Sequence, residues 1–174
     1  MPADQSPGPL QFPVGGDFDI RIARDGTWFH EGVPIARKAL VKLFASVLRC
    51  DAEGAYWLQT PVEKGRILVE DVPFVAVELS VKGQGEAQCL SFRTNLDEWV
   101  AAGAAHPLRV GAGPEKGGPS PYILVRERLE ARVLRPVYYE LADLAVPAPR
   151  SAAQAADCLG VWSDGVFFPL GSAA

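Results

Sequence analysis

Short apolar runs broken by glycine and proline constrain the fold of this chain more than any other feature. In DFDIRIAR, residues 17 to 24, apolar side chains alternate with charged ones, which is the period of a strand with one buried face. The Asp25-Gly26 pair that follows favours a tight turn, because glycine tolerates a positive φ and aspartate hydrogen-bonds its own backbone. Residues 27 to 30 then return as a second strand, so the chain is predicted to open on a hairpin.

A helix and further strands follow this hairpin. Pro34 suits the first turn of a helix over residues 35 to 48, whose apolar face would run through Ala36, Leu40, Leu43 and Val47. Gly and Pro then separate runs rich in β-branched and aromatic residues, which predict strands. These runs cover residues 56 to 60, 66 to 70, 74 to 81 and 88 to 93.

The remaining chain is predicted to repeat this layout. A short helix is expected over residues 95 to 103, a turn at Glu127-Arg128, a helix from Pro136 to residue 145 and a final hairpin turning at Asp164-Gly165. Both halves can then be read as hairpin, helix, hairpin, which argues for an internal duplication. The sequence predicts an α+β fold of two similar small halves, each with antiparallel strands packed on a helix. The predicted divisions are a flexible leader (1–16), an N-terminal half (17–86) and a C-terminal half (87–174).

The charge balance limits the partners of the protein. Seventeen basic and 21 acidic residues give a net charge of -4, which provides no long-range attraction to a nucleic acid polymer or to an anionic membrane. No run of 18 apolar residues occurs, and residues 1 to 17 have neither the basic start nor the apolar core of a secretion signal. We therefore expect a cytoplasmic protein that binds neither nucleic acid polymers nor membranes.

The sequence contains no recognisable catalytic motif. Its three cysteines lie far apart without a CxxC spacing, and its two histidines lack the spacing of a metal site. No GxSxG motif is present, and Lys116 stands where the GxGxxG phosphate loop needs its last glycine. The glycine-rich stretch at 111 to 121 is better read as a long hairpin loop. These residues identify no metal, catalytic group or cofactor.

Two segments at the ends of strands are candidate ligand sites. Thr60, Glu63 and Lys64 occupy a turn from which their side chains would project into a crevice, although a solvated turn would look the same. Arg93 would end a strand where Thr94 or Asn95 caps the next helix, so that a guanidinium and free N–H groups could attract an anion. The alternative is structural, since Asn95 and Glu98 also resemble a capping box.

A third candidate is the basic face of the first predicted helix, which carries Arg37, Lys38 and Lys42 without an acidic neighbour. Such a face would suit a phosphate or a protein partner, and it is also typical of a solvated helix surface.

Several longer stretches match a known pattern, among them GDFDIRIARDGTWFHEG, TPVEKGRILVEDVPFVAVEL, FRTN and RPVYYELADL. Over roughly residues 15 to 170 the chain resembles a bacterial family, family 1285 of the domains of unknown function. The resemblance implies an α+β fold of two similar halves, the second superficially like a pleckstrin-homology domain. It also implies a site for a nucleotide-based ligand at the contact between the halves and a role in signal transduction. The matching positions placed near that contact are Arg37, Thr60, Glu63, Lys64, Arg93, Thr94, Asn95 and Tyr138.

The leading hypothesis is a non-catalytic sensing protein that binds an anionic, nucleotide-like small molecule between its halves. The arginines and the lysine would pair with phosphate oxygens, and Tyr138 would stack on a ring. One alternative is a protein-interaction module that uses a strand edge or the basic helix. The other is a hydrolase of nucleotide-like substrates with Glu63 as its base.

Overall fold

The computed structural model describes residues 16–114, 116–150 and 157–172. The predicted leader, residues 1 to 16, lies outside this part of the chain except for Gly16, which begins a strand. Within the described residues, no helix has both the length and the apolar character needed to cross a membrane.

The first half is a six-stranded sheet with one helix packed on it. The chain forms two three-stranded antiparallel units joined through a central parallel pair, in the order β3-β2-β1-β6-β5-β4. The elements are β1 (Gly16–Ile22), β2 (Trp28–His30), β3 (Val33–Pro34), α1 (Lys38–Ser46), β4 (Leu48–Cys50), β5 (Tyr56–Gln59) and β6 (Lys64–Val69).

The second half repeats this arrangement of strands and adds a helix and a small third sheet. Its six-stranded sheet has the order β10-β11-β12-β7-β8-β9, again with a parallel pair, β7 and β12, at the centre. The elements are β7 (Phe74–Lys82), a 3-10 turn (Gly85–Ala87), β8 (Cys89–Thr94), β9 (Trp99–Ala101), β10 (Leu108–Ala112), β11 (Pro119–Arg126), β12 (Leu129–Val133), α2 (Arg135–Ala142), β13 (Val146–Pro147), β14 (Cys158–Ser163) and β15 (Val166–Ser172).

The two large sheets have the same connectivity. In each sheet, the first and the sixth strand form the central parallel pair. The second and third strands lie outside the first strand, and the fifth and fourth lie outside the sixth. The predicted duplication is thus expressed in the sheets. The position of the helices within the two repeats differs from the prediction. Helix α1 lies between the third and fourth strands of the first sheet, whereas α2 follows the sixth strand of the second sheet. The two helices are not counterparts.

The sheets also divide the chain earlier than the predicted boundary between residues 86 and 87. Strand β7 pairs with β8 and β12 and so belongs to the second sheet, and the segment 70–73 connects the two sheets. A run of alternating apolar residues predicts a strand but not its partner, because pairing is decided between distant segments.

Several predicted elements are confirmed. The hairpin of β1 and β2 turns at residues 23 to 27, the turn at Glu127-Arg128 separates β11 from β12, and the last hairpin turns at Asp164-Gly165. The segment between β10 and β11 connects two antiparallel strands, as expected of a long hairpin loop.

The predicted helix over residues 95 to 103 is wrong. Residues 95 to 98 form a turn in which Asp97 has a φ of 65°, and β9 follows and pairs with β8. A positive φ interrupts a right-handed helix, here at its third residue, and β9 instead hydrogen-bonds to the edge of the sheet.

The buried face of α1 also differs from the predicted one. Val41 and Ala45 are buried, whereas Leu43 is 62% exposed. Val41 and Ala45 are four residues apart and share a face, from which Leu43 points away by about 200°. The helix packs on the sheet through this rotated face.

One hydrophobic core extends through both halves. It includes Ile22 and Trp28 of the first sheet, Phe74 and Phe92 of the second, and Val161 of the third. The two halves are therefore joined by apolar contacts, and an open cavity of about 330 Å³ also lies between them. It is lined by Lys42, Ala45 and Ser46 of the first half and by Phe74, Leu96, Glu98 and Arg126 of the second.

Candidate functional site

The turn between β5 and β6 holds three of the predicted ligand residues. The Thr60 Oγ1 accepts hydrogen bonds from the backbone N–H groups of Val62 (3.3 Å) and Glu63 (3.0 Å), so this hydroxyl closes the turn. The Lys64 Nζ lies 4.6 Å from the centre of the Trp57 ring, a cation–π contact. The Glu63 side chain is exposed.

Thr94 and Asn95 both have structural hydrogen bonds, and Asn95 lies at the contact between the halves. Thr94 is buried, and its Oγ1 accepts hydrogen bonds from the N–H groups of the turn that follows. The Asn95 Oδ1 accepts from Val75 N–H at 3.2 Å, and its Nδ2 donates to the Gly26 carbonyl at 3.3 Å. Asn95 therefore ties the first hairpin to the second sheet. Since no helix begins here, the segment has no helix N-terminus for an anion, and the predicted cap is wrong.

Arg93 takes part in an ion-pair cluster centred on Asp97. The Asp97 carboxylate lies 2.9 Å from Lys38 Nζ, 3.1 Å from Lys42 Nζ and 3.1 Å from Arg93 Nη1. Hydrogen bonds from the two lysines lower the pKa of Asp97 to about 2. Arg93 Nε also binds Glu78 at 2.7 Å. The basic face of α1 is thus partly neutralised by an acid from the other half.

The structure separates these predicted residues into different places. Lys64 stands at the start of β6. Asn95 binds Gly26, which lies beyond the end of β1. Because β1 and β6 are parallel, Lys64 and Gly26 lie at opposite ends of this strand pair. Five residues of strand, roughly 17 Å, lie between the two ends. Arg37 is exposed at the N-terminus of α1, next to Lys38.

Tyr138 lies in a third place, on an open cavity of about 440 Å³ beside the N-terminus of α2. Two arginines, two tyrosines and the loop before β11 surround this cavity. The lining includes Arg132, Arg135, Pro136, Tyr138, Tyr139 and Gly117.

The polar side of this cavity is cationic. Arg135 is exposed, and its guanidinium packs against Gly117. A Cβ added to Gly117 would lie only 2.5 Å from Arg135 Nη2, so the glycine leaves room for the guanidinium. Helix α2 has no side-chain cap and no acid in its first turn, so its own residues leave the positive end of the helix dipole uncompensated. An anion placed here would meet a guanidinium and a helix N-terminus together.

The apolar side is aromatic. The rings of Tyr138 and Tyr139 are 6.4 Å apart with 29° between their planes, and Tyr139 is 59% exposed. An exposed aromatic ring beside a cationic group provides a surface for a flat ligand ring.

Arg132 connects this cavity to the contact between the halves. Its Nη2 donates to the Arg24 carbonyl of the first half at 2.9 Å, and its Nε is 3.1 Å from Asp71 in the connecting segment. Asp71 also accepts the hydroxyl hydrogen of Tyr122 at 3.1 Å. Burial first, and then Asp71, raises the pKa of Tyr122 to about 12, so the phenol keeps the proton that it donates.

Arg132, Arg135 and Tyr139 line this cavity and were not among the residues predicted from the sequence. A usable signal was present, because Arg135-Pro136 begins a helix directly after a strand, and Tyr138 and Tyr139 follow within one turn. The described part of the chain contains no group of three or more His, Cys, Asp or Glu residues that could hold a metal ion.

This fold defines a class of β-rich α+β proteins with two similar six-stranded sheets. Residues 11–72 match the family described as "Domain of unknown function (DUF1285), N-terminal domain", and residues 73–170 match "Protein of unknown function (DUF1285), C-terminal domain". The chain belongs to the DUF1285 family, which confirms the resemblance seen in the sequence. No curated protein matches it.

Two solved structures are similar to this chain. A DUF1285 family protein from Silicibacter pomeroyi DSS-3 is 43% identical with a TM-score of 0.82, and the match covers 98% of this chain and 90% of that one. A DUF1285 family protein from Shewanella baltica OS155 is 26% identical with a TM-score of 0.56, and the match covers 72% of this chain and 91% of that one.

Proposed function

We propose that this protein is a non-catalytic binding protein for a small phosphate-bearing molecule with a flat ring, such as a nucleotide. The observation that carries the proposal is the cavity beside α2, where the Arg135 guanidinium, the uncapped helix N-terminus and the Tyr138–Tyr139 pair lie together. Phosphate oxygens would bind at the cationic side, and the ring of the ligand would lie on the tyrosines.

The position of Arg132 supports a sensing role. This residue lines the cavity and also binds the Arg24 carbonyl of the first half, so a ligand that moved Arg132 would alter a contact between the halves. We propose that ligand binding is read out in this way as part of signal transduction. The likeness of the second half to a pleckstrin-homology domain stays a prediction.

The same cavity accounts for only one of the eight residues that the sequence suggested. Tyr138 lines it, whereas Arg93, Thr94 and Asn95 have partners within the protein. The proposal therefore places the ligand beside the contact between the halves and not within it.

The two other functions have less support. A partner attracted by the basic face of α1 would compete with Asp97 for Lys38 and Lys42. A hydrolase that used Glu63 as its base would need a substrate pocket at the turn between β5 and β6, and Glu63 lines neither the cavity beside α2 nor the cavity between the halves.

Titration calorimetry of the full chain with nucleoside mono- and diphosphates, cyclic nucleotides and inorganic phosphate tests the proposal. We expect at least one nucleotide to bind, and Arg135→Glu and Tyr138→Ala each to weaken its binding about tenfold or more. Arg37→Glu is the matched control, an exposed arginine at the other helix N-terminus, and should leave the affinity unchanged. The proposal is wrong if none of these compounds binds at millimolar concentration, or if only Arg37→Glu weakens binding.

A further inference from the structure

The first sheet has one face that the described protein leaves open. Its other face packs into the core through Ile20, Ile22 and Ile67, together with α1. The open face carries the alternate residues of β1, β2, β5 and β6, and a groove of about 510 Å³ runs across it. Leu68 in this groove is 61% exposed.

The charges on this face that form no ion pair differ in sign between two neighbouring strands. Strand β1 presents Asp17 and Asp19, and strand β6 presents Lys64 and Arg66. Arg21 follows the two aspartates on β1 and is paired with Glu70 at 2.6 Å. Neither aspartate forms an ion pair with another described residue, and the two cations lie over the Trp57 ring, 4.6 Å and 6.0 Å from its centre. The hydrogen bond from the Trp57 side chain lowers the pKa of Asp51, and Arg66 also lies near enough to that carboxyl to contribute to the lowering. Four charges of two signs thus lie side by side, and none of them forms a close ion pair within the described residues.

The strand order makes this face complementary to itself. In the order β3-β2-β1-β6-β5-β4, the midline runs between β1 and β6. A twofold axis along that midline would lay β1 of one copy over β6 of a second copy, and β2 over β5. The register pairs Asp17 with Arg66 at the same level of the sheet, so each aspartate would face the arginine of the other copy.

The apolar residues fit the same symmetry. Leu68 lies on β6 next to the midline, so the two copies of Leu68 would meet near the axis. Phe29 on β2 and Trp57 on β5 would lie on facing strands, within reach of large side chains. We propose that the open face of the first sheet binds a second copy of this chain to form a twofold-symmetric dimer.

The size of the face limits the strength of this dimer. Six strands of about five residues span a flat area on the order of 500 Å², below the roughly 800 Å² per partner of a standard interface. We therefore expect a reversible dimer with a Kd on the order of 10–100 µM, weakened by salt because the paired charges lie near solvent.

Sedimentation equilibrium of the full chain from 5 to 500 µM tests the proposal, with circular dichroism to confirm that each variant is folded. The wild type should dimerise, and Asp17→Arg and Arg66→Asp should each be monomeric, because each places like charges against one another. An equimolar mixture of these two variants should dimerise again, since every facing pair in the mixed dimer has opposite charges. Arg128→Asp, an exposed arginine of the second half, is the control and should dimerise like the wild type.

Three results would overturn the proposal. They are a wild type that stays monomeric at 500 µM, a dimer that survives Asp17→Arg or Arg66→Asp, and a mixture of the two variants that remains monomeric. Leu68→Glu provides a separate test of the apolar centre, because it should weaken the dimer at high salt as well as at low salt.

Discussion

Asp97 shows how far one side chain depends on groups from distant parts of the chain. Lys38 and Lys42 come from α1 of the first half, and Arg93 comes from β8 of the second. The three cations favour the charged form of the carboxyl, which explains its lowered pKa. The cluster is partly exposed, so we expect it to orient α1 against the second half more than to stabilise the whole molecule.

Replacing Asp97 with asparagine should change the acid sensitivity of the protein. The pKa of Asp97 is about 2 in the folded state, below the ordinary value of 3.8, so its stabilising contribution is present above pH 4 and is lost as the pH falls toward 2. The free energy of unfolding of Asp97→Asn should therefore depend less steeply on pH in this window. Asparagine also tolerates the φ of 65°.

Urea unfolding at several values between pH 5 and pH 2 measures this effect. Glu63→Gln is the control, because it removes an exposed carboxyl that forms no ion pair with the described residues. The explanation would be contradicted if the curve of Asp97→Asn ran parallel to that of the wild type. In 1 M salt the difference between the two should shrink.

At the scale of elements, the turn between β1 and β2 does more than reverse the chain. Gly26 has a φ of 86°, and its carbonyl accepts the Asn95 side-chain hydrogen bond from the second half. A hairpin was predictable here from Asp25-Gly26. Its docking against Asn95 was not, because the two segments are 69 residues apart.

Gly26→Ala and Gly32→Ala form a matched pair that tests this docking. Both glycines have a positive φ, so each alanine should cost about 1–2 kcal/mol. A Cβ at Gly26 would also lie 2.7 Å from Asn95 Nδ2 and 3.1 Å from a Val75 methyl group, whereas a Cβ at Gly32 would meet no atom within 4 Å. Gly26→Ala should therefore lower the free energy of unfolding by at least about 1 kcal/mol more. Equal effects of the two substitutions in urea unfolding would contradict the assigned contact.

Elements with strong local signals were predictable from the sequence, whereas strand β9 was not, because the local signal in its segment favoured a helix. The hairpins at Asp25-Gly26 and Asp164-Gly165 and the helix α2 follow from turn residues and from Pro136. The segment 95–101 looked helical because Asn95 and Glu98 resemble a capping box, yet β9 gains hydrogen bonds to β8 that no local pattern displays. Tertiary pairing outweighed local propensity there.

At the scale of the whole molecule, the two halves share one apolar core. Phe74 is 1% exposed and stands on β7, at the start of the second sheet, yet it belongs to the same cluster as Trp28 and Val41 of the first half. A shared core implies that neither half keeps its buried surface when the other unfolds. We expect the protein to unfold in a single cooperative step.

Hydrogen exchange in the Phe74→Ala variant checks this expectation. The substitution should cost about 3–5 kcal/mol, and it should lower the protection of the slowest amides in β6 and in β11 by the same amount. Val62→Ala, at a side chain that is 72% exposed, should change neither strand. Loss of protection in β11 alone would show that the halves unfold separately.

The sequence by itself determined the period-two strands, the glycine turns, the α+β class and the family, because each of these depends on residues close together in the chain or on long matching stretches. Only the tertiary structure decided which strands pair, where the sheets divide and which side chains meet. It joined Arg93 to Lys38 around Asp97, enclosed Asn95 between the halves and left Tyr138 beside Arg135 on an open cavity. The physical reason is that ion pairs, sheet registers and cavities depend on distances between segments far apart in the chain, which a local pattern does not encode.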